Sequence, residues 1–193
     1  DKTFNKLNSK YSILLSNTSQ NENEAKRDTL KKLKIKNNYF KKIVTSGSYL
    51  EHIFKSKKKK YAKFNKILSL KKCYLITNGK KNEVFANIGL KKSNIKNSKF
   101  ILAMSIKPFE DFNKYKKILN MLFKRNLIMI CSNPDKFVYD GKVKKFVLQV
   151  GTLAEYYQSI GGKVLYIGKP FSEIYSYALE GLNFNMKKIL MVG

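Results

Sequence analysis

The chain has 193 residues, enough for one domain or for a core with a smaller companion, and its 43% apolar content suits a globular interior. Forty Lys and Arg against 13 Asp and Glu give a formal charge of +27. No apolar run exceeds strand length, so neither a membrane span nor an export leader is expected. The charge invites a nucleic-acid reading, but only Arg27 and Arg125 of the 40 basic residues are arginine, the better phosphate fork and base reader. The lysines spread along the whole chain, and the one dense run, Lys57-Lys58-Lys59-Lys60, reads as a solvated face. Non-specific sticking to polyanions at low salt is expected, and specific nucleic-acid binding is not. The two cysteines, Cys73 and Cys131, share no ligand spacing with each other or with His52, and read as buried thiols in a reducing cytoplasm.

In chain order, Tyr11 to Leu15 predicts a short strand. Glu22 to Leu33 predicts a helix, with acids in its first turn and lysines in its last. Ile43-Val44 predicts a second strand, ending at Thr45-Ser46-Gly47, and a helix is expected from Ser48 through Phe54. The lysine-rich stretch after it reads as a linker or exposed face. Cys73 to Thr77 predicts a strand closed by Asn78-Gly79, Glu83 to Ile88 a short helix, and Phe100 to Met104 another strand. Phe112, Tyr115, Leu119 and Leu122 recur at spacings of three and four, which marks an amphipathic helix leading to a strand over Leu127 to Cys131. After Ser132-Asn133-Pro134-Asp135, the runs Phe137 to Tyr139 and Val143 to Val147 flank Asp140-Gly141 and predict a hairpin. Thr152 to Ile160 predicts a helix stopped by Gly161-Gly162. The strand Lys163 to Ile167, the helix Phe171 to Leu182 and a last strand over Lys188 to Val192 complete the pattern.

Strands alternating with helices predict an α/β fold with a mostly parallel sheet, and such sheets bind ligands beyond the carboxyl ends of their strands. Three features occupy those positions. Ser16-Asn17 follow the first strand. Asn133-Pro134-Asp135 follow a central one. Gly168-Lys169-Pro170 stand between a strand and a helix N-terminus, where free N–H groups and the lysine charge suit a phosphate. Each has a plainer reading. Ser-Asn is a common helix cap and Asn-Pro-Asp a common turn, so Asn133 and Asp135 remain open between a structural and a substrate-facing role. No G-x-x-x-x-G-K-[ST] is present, which argues against a P-loop enzyme. His52 reads as a helix-face or hinge residue, and Tyr156, Tyr157, Tyr175 and Tyr177 as packing.

In their order and context these elements resemble phosphatases of the haloacid dehalogenase superfamily, class IIA, the branch with nitrophenyl-phosphatase-like and pyridoxal-phosphatase-like enzymes. Ile13-Leu14-Leu15-Ser16-Asn17 is similar to the second superfamily motif. Val44-Thr45-Ser46-Gly47 is similar to the strand from which the cap departs, Asn133-Pro134-Asp135 to the class IIA cap loop, and Gly168-Lys169-Pro170 to the third motif. The resemblance implies a Rossmann-like parallel-sheet core from 1–53 and 163–193, with an inserted α/β cap over 54–162. It also implies a Mg²⁺-dependent phosphomonoester hydrolase of small phosphorylated metabolites that works through an aspartyl-phosphate. Ser16 would hydrogen-bond the phosphoryl oxygen, Asn17 would shape the same phosphate-binding loop, and Lys169 would neutralise charge. Asn133 and Asp135 are the cap-loop candidates. No metal ligand is assigned within the chain. Expected partners are a small phosphorylated substrate, neither membrane nor specific nucleic acid, and a homodimer through the cap is one assembly the resemblance allows. Asp1 is the only acid before Ser16 and no acid follows Gly193, so the catalytic aspartates are expected outside this segment, which reads as an internal piece. Gln20 stands where relatives often carry a basic residue. The competing reading is an inactive α/β binding protein with a lysine-rich polyanion-binding surface.

Overall fold

A computed structural model describes residues 11–141, 143–183 and 185–192. Asp1 and Gly193, on which the expectation of flanking acids rests, lie outside the described residues.

Two strands open the fold: β1 (Ile13–Ser16) and β2 (Lys42–Thr45) pair in parallel, with Ser16 opposite Thr45 at their carboxyl ends. Between them runs α1 (Glu22–Glu24), whose Asn21 capping box holds the Glu24 carboxylate. It continues as a π-helical turn over Ala25–Leu30 in place of the regular helix the pattern predicted. After β2 comes α2 (Ser46–Lys55), capped by Thr45, whose hydroxyl accepts from Ser48 N at 2.8 Å and donates to Gln20 O at 2.6 Å.

The remaining chain builds a five-stranded, fully parallel sheet. Its strands are β3 (Lys72–Ile76), β4 (Lys91–Lys92), β5 (Phe100–Ala103), β6 (Met129–Cys131) and β9 (Val164–Tyr166), in the order β4-β3-β5-β6-β9. Its helices are α3 (Ala62–Leu68), α4 (Glu83–Asn87), α5 (Phe112–Phe123), α6 (Val150–Ser159) and α7 (Ser172–Leu179). The antiparallel hairpin β7 (Phe137–Asp140) and β8 (Lys145–Leu148) stands apart from this sheet.

The central strands β5 and β6 are apolar on both faces because both faces are covered. Along β5, Phe100 and Leu102 enter one apolar cluster and Ile101 and Ala103 the other, the period-two alternation of a pleated strand. The first cluster packs Leu50 and Ile53 of α2, Leu68 of α3, Val84 of α4 and Ile174 of α7. The second packs Leu119 and Leu122 of α5 with Leu153 and Tyr157 of α6. Val44, and Ile13 and Leu15 beside it, join the first cluster, so the two-stranded sheet shares its core with the five-stranded one.

Two expectations are corrected. The stretch after Phe54 is not merely a linker: α3 lies in it, and Tyr61, Ile67 and Leu68 are buried. The strand expected over Lys188 to Val192 does not form. Those residues follow a 3-10 turn, and Leu190 and Val192 are 75% and 81% exposed. No described strand pairs with them, and a strand exists only as a pair. β9, after Gly161-Gly162, pairs with β6, Met129 opposite Val164. Gly161-Gly162 therefore ends a helix inside that sheet's connection, and residues 163–193 contribute their strand to the same sheet as residues 54–162.

Candidate functional site

Four chain segments that end strands meet at one place, and the Asn17 side chain joins them. Asn17 is buried directly after β1. Its Oδ1 accepts from Lys169 N at 2.6 Å and its Nδ2 donates to Lys169 O at 3.0 Å, so one amide holds both backbone groups of the lysine. The same Nδ2 donates to Asp135 Oδ1 at 2.7 Å, and the Ser46 hydroxyl lies 3.4 Å from Oδ1. The loop after β1, the start of α2, the loop after β6 and the loop after β9 are thus tied together. The sequence placed Asn17 in a phosphate-binding loop. The structure shows its amide engaged by Lys169 and Asp135, so its contribution is to hold the loop that carries the lysine.

Close approach at this junction requires glycine. Gly168 has φ +131°, and a Cβ there would fall 2.6 Å from Asn17 Oδ1 and 2.8 Å from Pro134 Cδ, with Ser46 Oγ closer still. Gly151, in the first turn of α6, donates its N–H to Asp135 O at 3.0 Å, and a Cβ on it would collide with the Pro134 and Asp135 carbonyls.

The candidates from the sequence take distinct places. Ser16 ends β1, partly exposed, and its Oγ accepts from Thr18 N at 3.3 Å, which bends the chain towards α1. Lys169 precedes α7 across a cis bond to Pro170. Its side chain is partly exposed and makes no ion pair among the described residues. Asn133 is buried and turns back into its own loop, where its Oδ1 accepts from Asp135 N at 3.1 Å. Asp135 is exposed and reaches across to Asn17. The turn role therefore falls to Asn133 and the cross-loop role to Asp135. His52 lies elsewhere, against Tyr49, Tyr61 and Tyr177.

Sequence reasoning missed Ser46 and Lys42. Ser46, fully buried at the first position of α2, borders both Gly168 and Asn17. Lys42 Nζ donates to Tyr177 O at 3.1 Å and Ala178 O at 2.9 Å, closing the carboxyl end of α7 and fixing the lysine-bearing helix against β2. A basic residue opening a strand carries no local sign of that task. The thiols are inert: burial pushes Cys73 and Cys131 each up to about 12.

The arrangement suits an anion. The Lys169 ammonium brings a full positive charge, and the amino end of α2 adds partial positive charge, with its Gly47 and Ser48 N–H groups taken by Thr18 O at 3.1 Å and the Thr45 hydroxyl at 2.8 Å. It does not suit a metal. Among the described residues no three His, Cys, Asp or Glu side chains lie together as a ligand set. At the junction Asp135 is joined by only hydroxyls and an amide, whereas Mg²⁺ takes a near-octahedral set of oxygens with carboxylates among them. These residues do not by themselves make a Mg²⁺ site.

No protein-family profile matches the chain, and no curated protein does. Solved structures do. A haloacid dehalogenase-like hydrolase from Brucella suis 1330 matches with TM-score 0.75 at 22% identity, over 90% of this chain and 62% of its own. A double mutant of the thermostable NPPase from Geobacillus stearothermophilus matches with TM-score 0.61 at 19% identity, over 95% and 68%. The glycerol phosphate phosphatase of Mycobacterium tuberculosis, solved in complex with calcium, matches with TM-score 0.60 at 11% identity, over 92% and 49%. The chain shares the fold of these hydrolases and spans 62% of the length of the first of them.

Proposed function

We propose that this chain forms the phosphoryl-handling part of a phosphomonoester hydrolase that acts on small phosphorylated metabolites. One observation carries the reading: a lysine with no ion-pair partner among the described residues, held by both its backbone groups beside the amino end of a helix. The shared fold with hydrolases and phosphatases supports it. In the form the resemblance implies, the reaction passes through an aspartyl-phosphate with Mg²⁺ present. This chain's own share is to bind and orient the phosphoryl group. Lys169 balances its charge as the ester bond breaks, and the Ser16 hydroxyl donates to a phosphoryl oxygen. Asn17 keeps the lysine in place, and Asp135 ties the loop after β6 over the same junction.

The test is the affinity for inorganic phosphate, together with the rate of p-nitrophenyl phosphate hydrolysis by the protein that carries this sequence. Lys169→Ala should weaken phosphate binding by at least about tenfold, the worth of one charge-assisted hydrogen bond. Folding stability should stay within about 0.5 kcal/mol, because no ion pair is lost. Unchanged phosphate affinity would remove Lys169 from the site. Phosphate binding without turnover in the intact protein would instead favour the inactive binding protein.

A further inference from the structure

Lys42 opens β2, and its ammonium is spent on the end of α7. Nζ donates to Tyr177 O at 3.1 Å, Ala178 O at 2.9 Å and Glu180 O at 3.4 Å. Backbone carbonyls therefore take every donor that an ammonium has. Nζ also stands 5.4 Å from the centroid of the Tyr177 ring. A lysine at a helix end is ordinarily a stabiliser, because the last carbonyls lack partners and carry partial negative charge. This one comes from another element, and the helix it grips carries Lys169 just before its opposite end.

Helix α7 does not fix that position by itself. It is eight residues long, too short to be stable alone, and no side chain caps its amino end. Ile174 and Ala178 bury one face in the first apolar cluster. Apolar burial is non-directional, so it presses the helix onto the core and fixes its axial position only loosely. The two ends do the rest. Asn17, directly after β1, holds both backbone groups of Lys169, and Lys42 holds the last carbonyls. β1 and β2 pair in parallel, with Ile13 opposite Lys42 and Ser16 opposite Thr45, so the two anchors lie at opposite ends of one small sheet. A four-residue strand rises about 13 Å and an eight-residue helix about 12 Å. Strand and helix are thus struts of matching length, joined at both ends. Tyr177 adds a second tie: it stacks at 5.0 Å on Tyr49 of α2, the helix whose first residue, Ser46, borders Gly168.

We propose that Lys42 is a positioning residue for Lys169: acting through α7, it sets where the Lys169 ammonium stands at the junction. The inference rests on the phosphoryl-handling reading of that junction. Lys42 starts its strand at the sheet edge opposite the junction, so its own charge reaches a phosphate there only as a field that salt screens.

The test is Lys42→Met, which keeps the apolar stem and removes the ammonium, in the protein that carries this sequence. Two quantities are read: hydrogen exchange of the Lys169 backbone N–H, whose acceptor is Asn17 Oδ1, and the affinity for inorganic phosphate. Exchange should quicken about tenfold or more, and phosphate affinity should fall about 2- to 30-fold, with the circular-dichroism spectrum unchanged. In a Lys169→Ala background the same change should take little further phosphate affinity, since no ammonium is left to aim. Lys42→Gln, which keeps a donor and loses the charge, should fall between the two proteins on both readouts, and it serves where Lys42→Met fails to fold. Exchange no faster than in the unaltered protein would overturn the proposal. So would faster exchange with phosphate affinity intact, which leaves Lys42 a helix-end stabiliser only. An equal loss of affinity with and without the Lys169 ammonium would also overturn it, since the field of Lys42 would then account for the effect. Lys169→Ala alone tests the phosphoryl-handling reading: if it leaves phosphate affinity unchanged, that reading falls, and this inference with it, whatever the exchange rates show.

Discussion

Replacing Asn17 by alanine should loosen the whole junction. The side chain is 5% exposed, so water cannot simply take over its bonds. Truncation strands Lys169 N–H, which loses a 2.6 Å acceptor, and removes the 3.0 Å donor to Lys169 O. An unsatisfied buried group costs about 1–3 kcal/mol, while the exposed Asp135 carboxylate can return to water at little cost, and the 3.4 Å contact to Ser46 is too long to add much. The sum is about 2–3 kcal/mol, which for a chain of this length lowers Tm by about 4–12 °C. Urea unfolding followed by circular dichroism reads the first figure and calorimetry the second. Phosphate affinity should fall as well, although Lys169 itself is untouched, because the loop that aims it is released. Asp135→Asn should cost much less alone, and the double variant should lie within about 0.5 kcal/mol of Asn17→Ala, since the energy resides in the Lys169 backbone contacts. A loss under about 0.5 kcal/mol for Asn17→Ala would refute the reasoning, because the amide would then be replaceable by water.

Two further outcomes follow from packing and titration. Gly168→Ala should destabilise by about 2 kcal/mol or more, since φ +131° is strained for alanine and its Cβ would press on Asn17 and Pro134; an unchanged urea midpoint would show that the loop can move aside. Burial holds His52 below its ordinary 6.5; Glu180, 3.8 Å away and beyond hydrogen bonding, opposes this, and the ammonium groups of Lys58, Lys60 and Lys42 reinforce it. The unfolded chain therefore takes up this proton first, so stability present above pH 6.5 declines as pH falls from there towards the folded pKa. His52→Gln should flatten that stretch of a plot of urea midpoint against pH, and parallel curves for the two proteins would sink the assignment.

What was legible in the sequence was local. The loops that follow strands at Ser16, Asp135 and Lys169 and the hairpin around Asp140-Gly141 carry their geometry in neighbouring residues, and the structure shows these elements within a few positions of their expected bounds. Helix α3 escaped because Lys57–Lys60 dilute the apolar spacing of Tyr61, Phe64, Ile67 and Leu68, although those side chains pack into the first core cluster. The strand β4, two lysines long, has no pattern to detect and exists only because β3 pairs with it.

Amino-acid order by itself determined an α/β chain whose strand ends carry candidate phosphate-binding residues. Tertiary structure decided which of those residues act together. Asn17 meets Asp135 across 118 positions and Lys169 across 152, and no periodicity reports on contacts at that range. The same holds for β9, whose backbone groups are satisfied by β6 on the other side of the connecting helix. Pairing and burial are properties of two segments at once. A single segment can show that it needs a partner, and only the packed chain supplies which one.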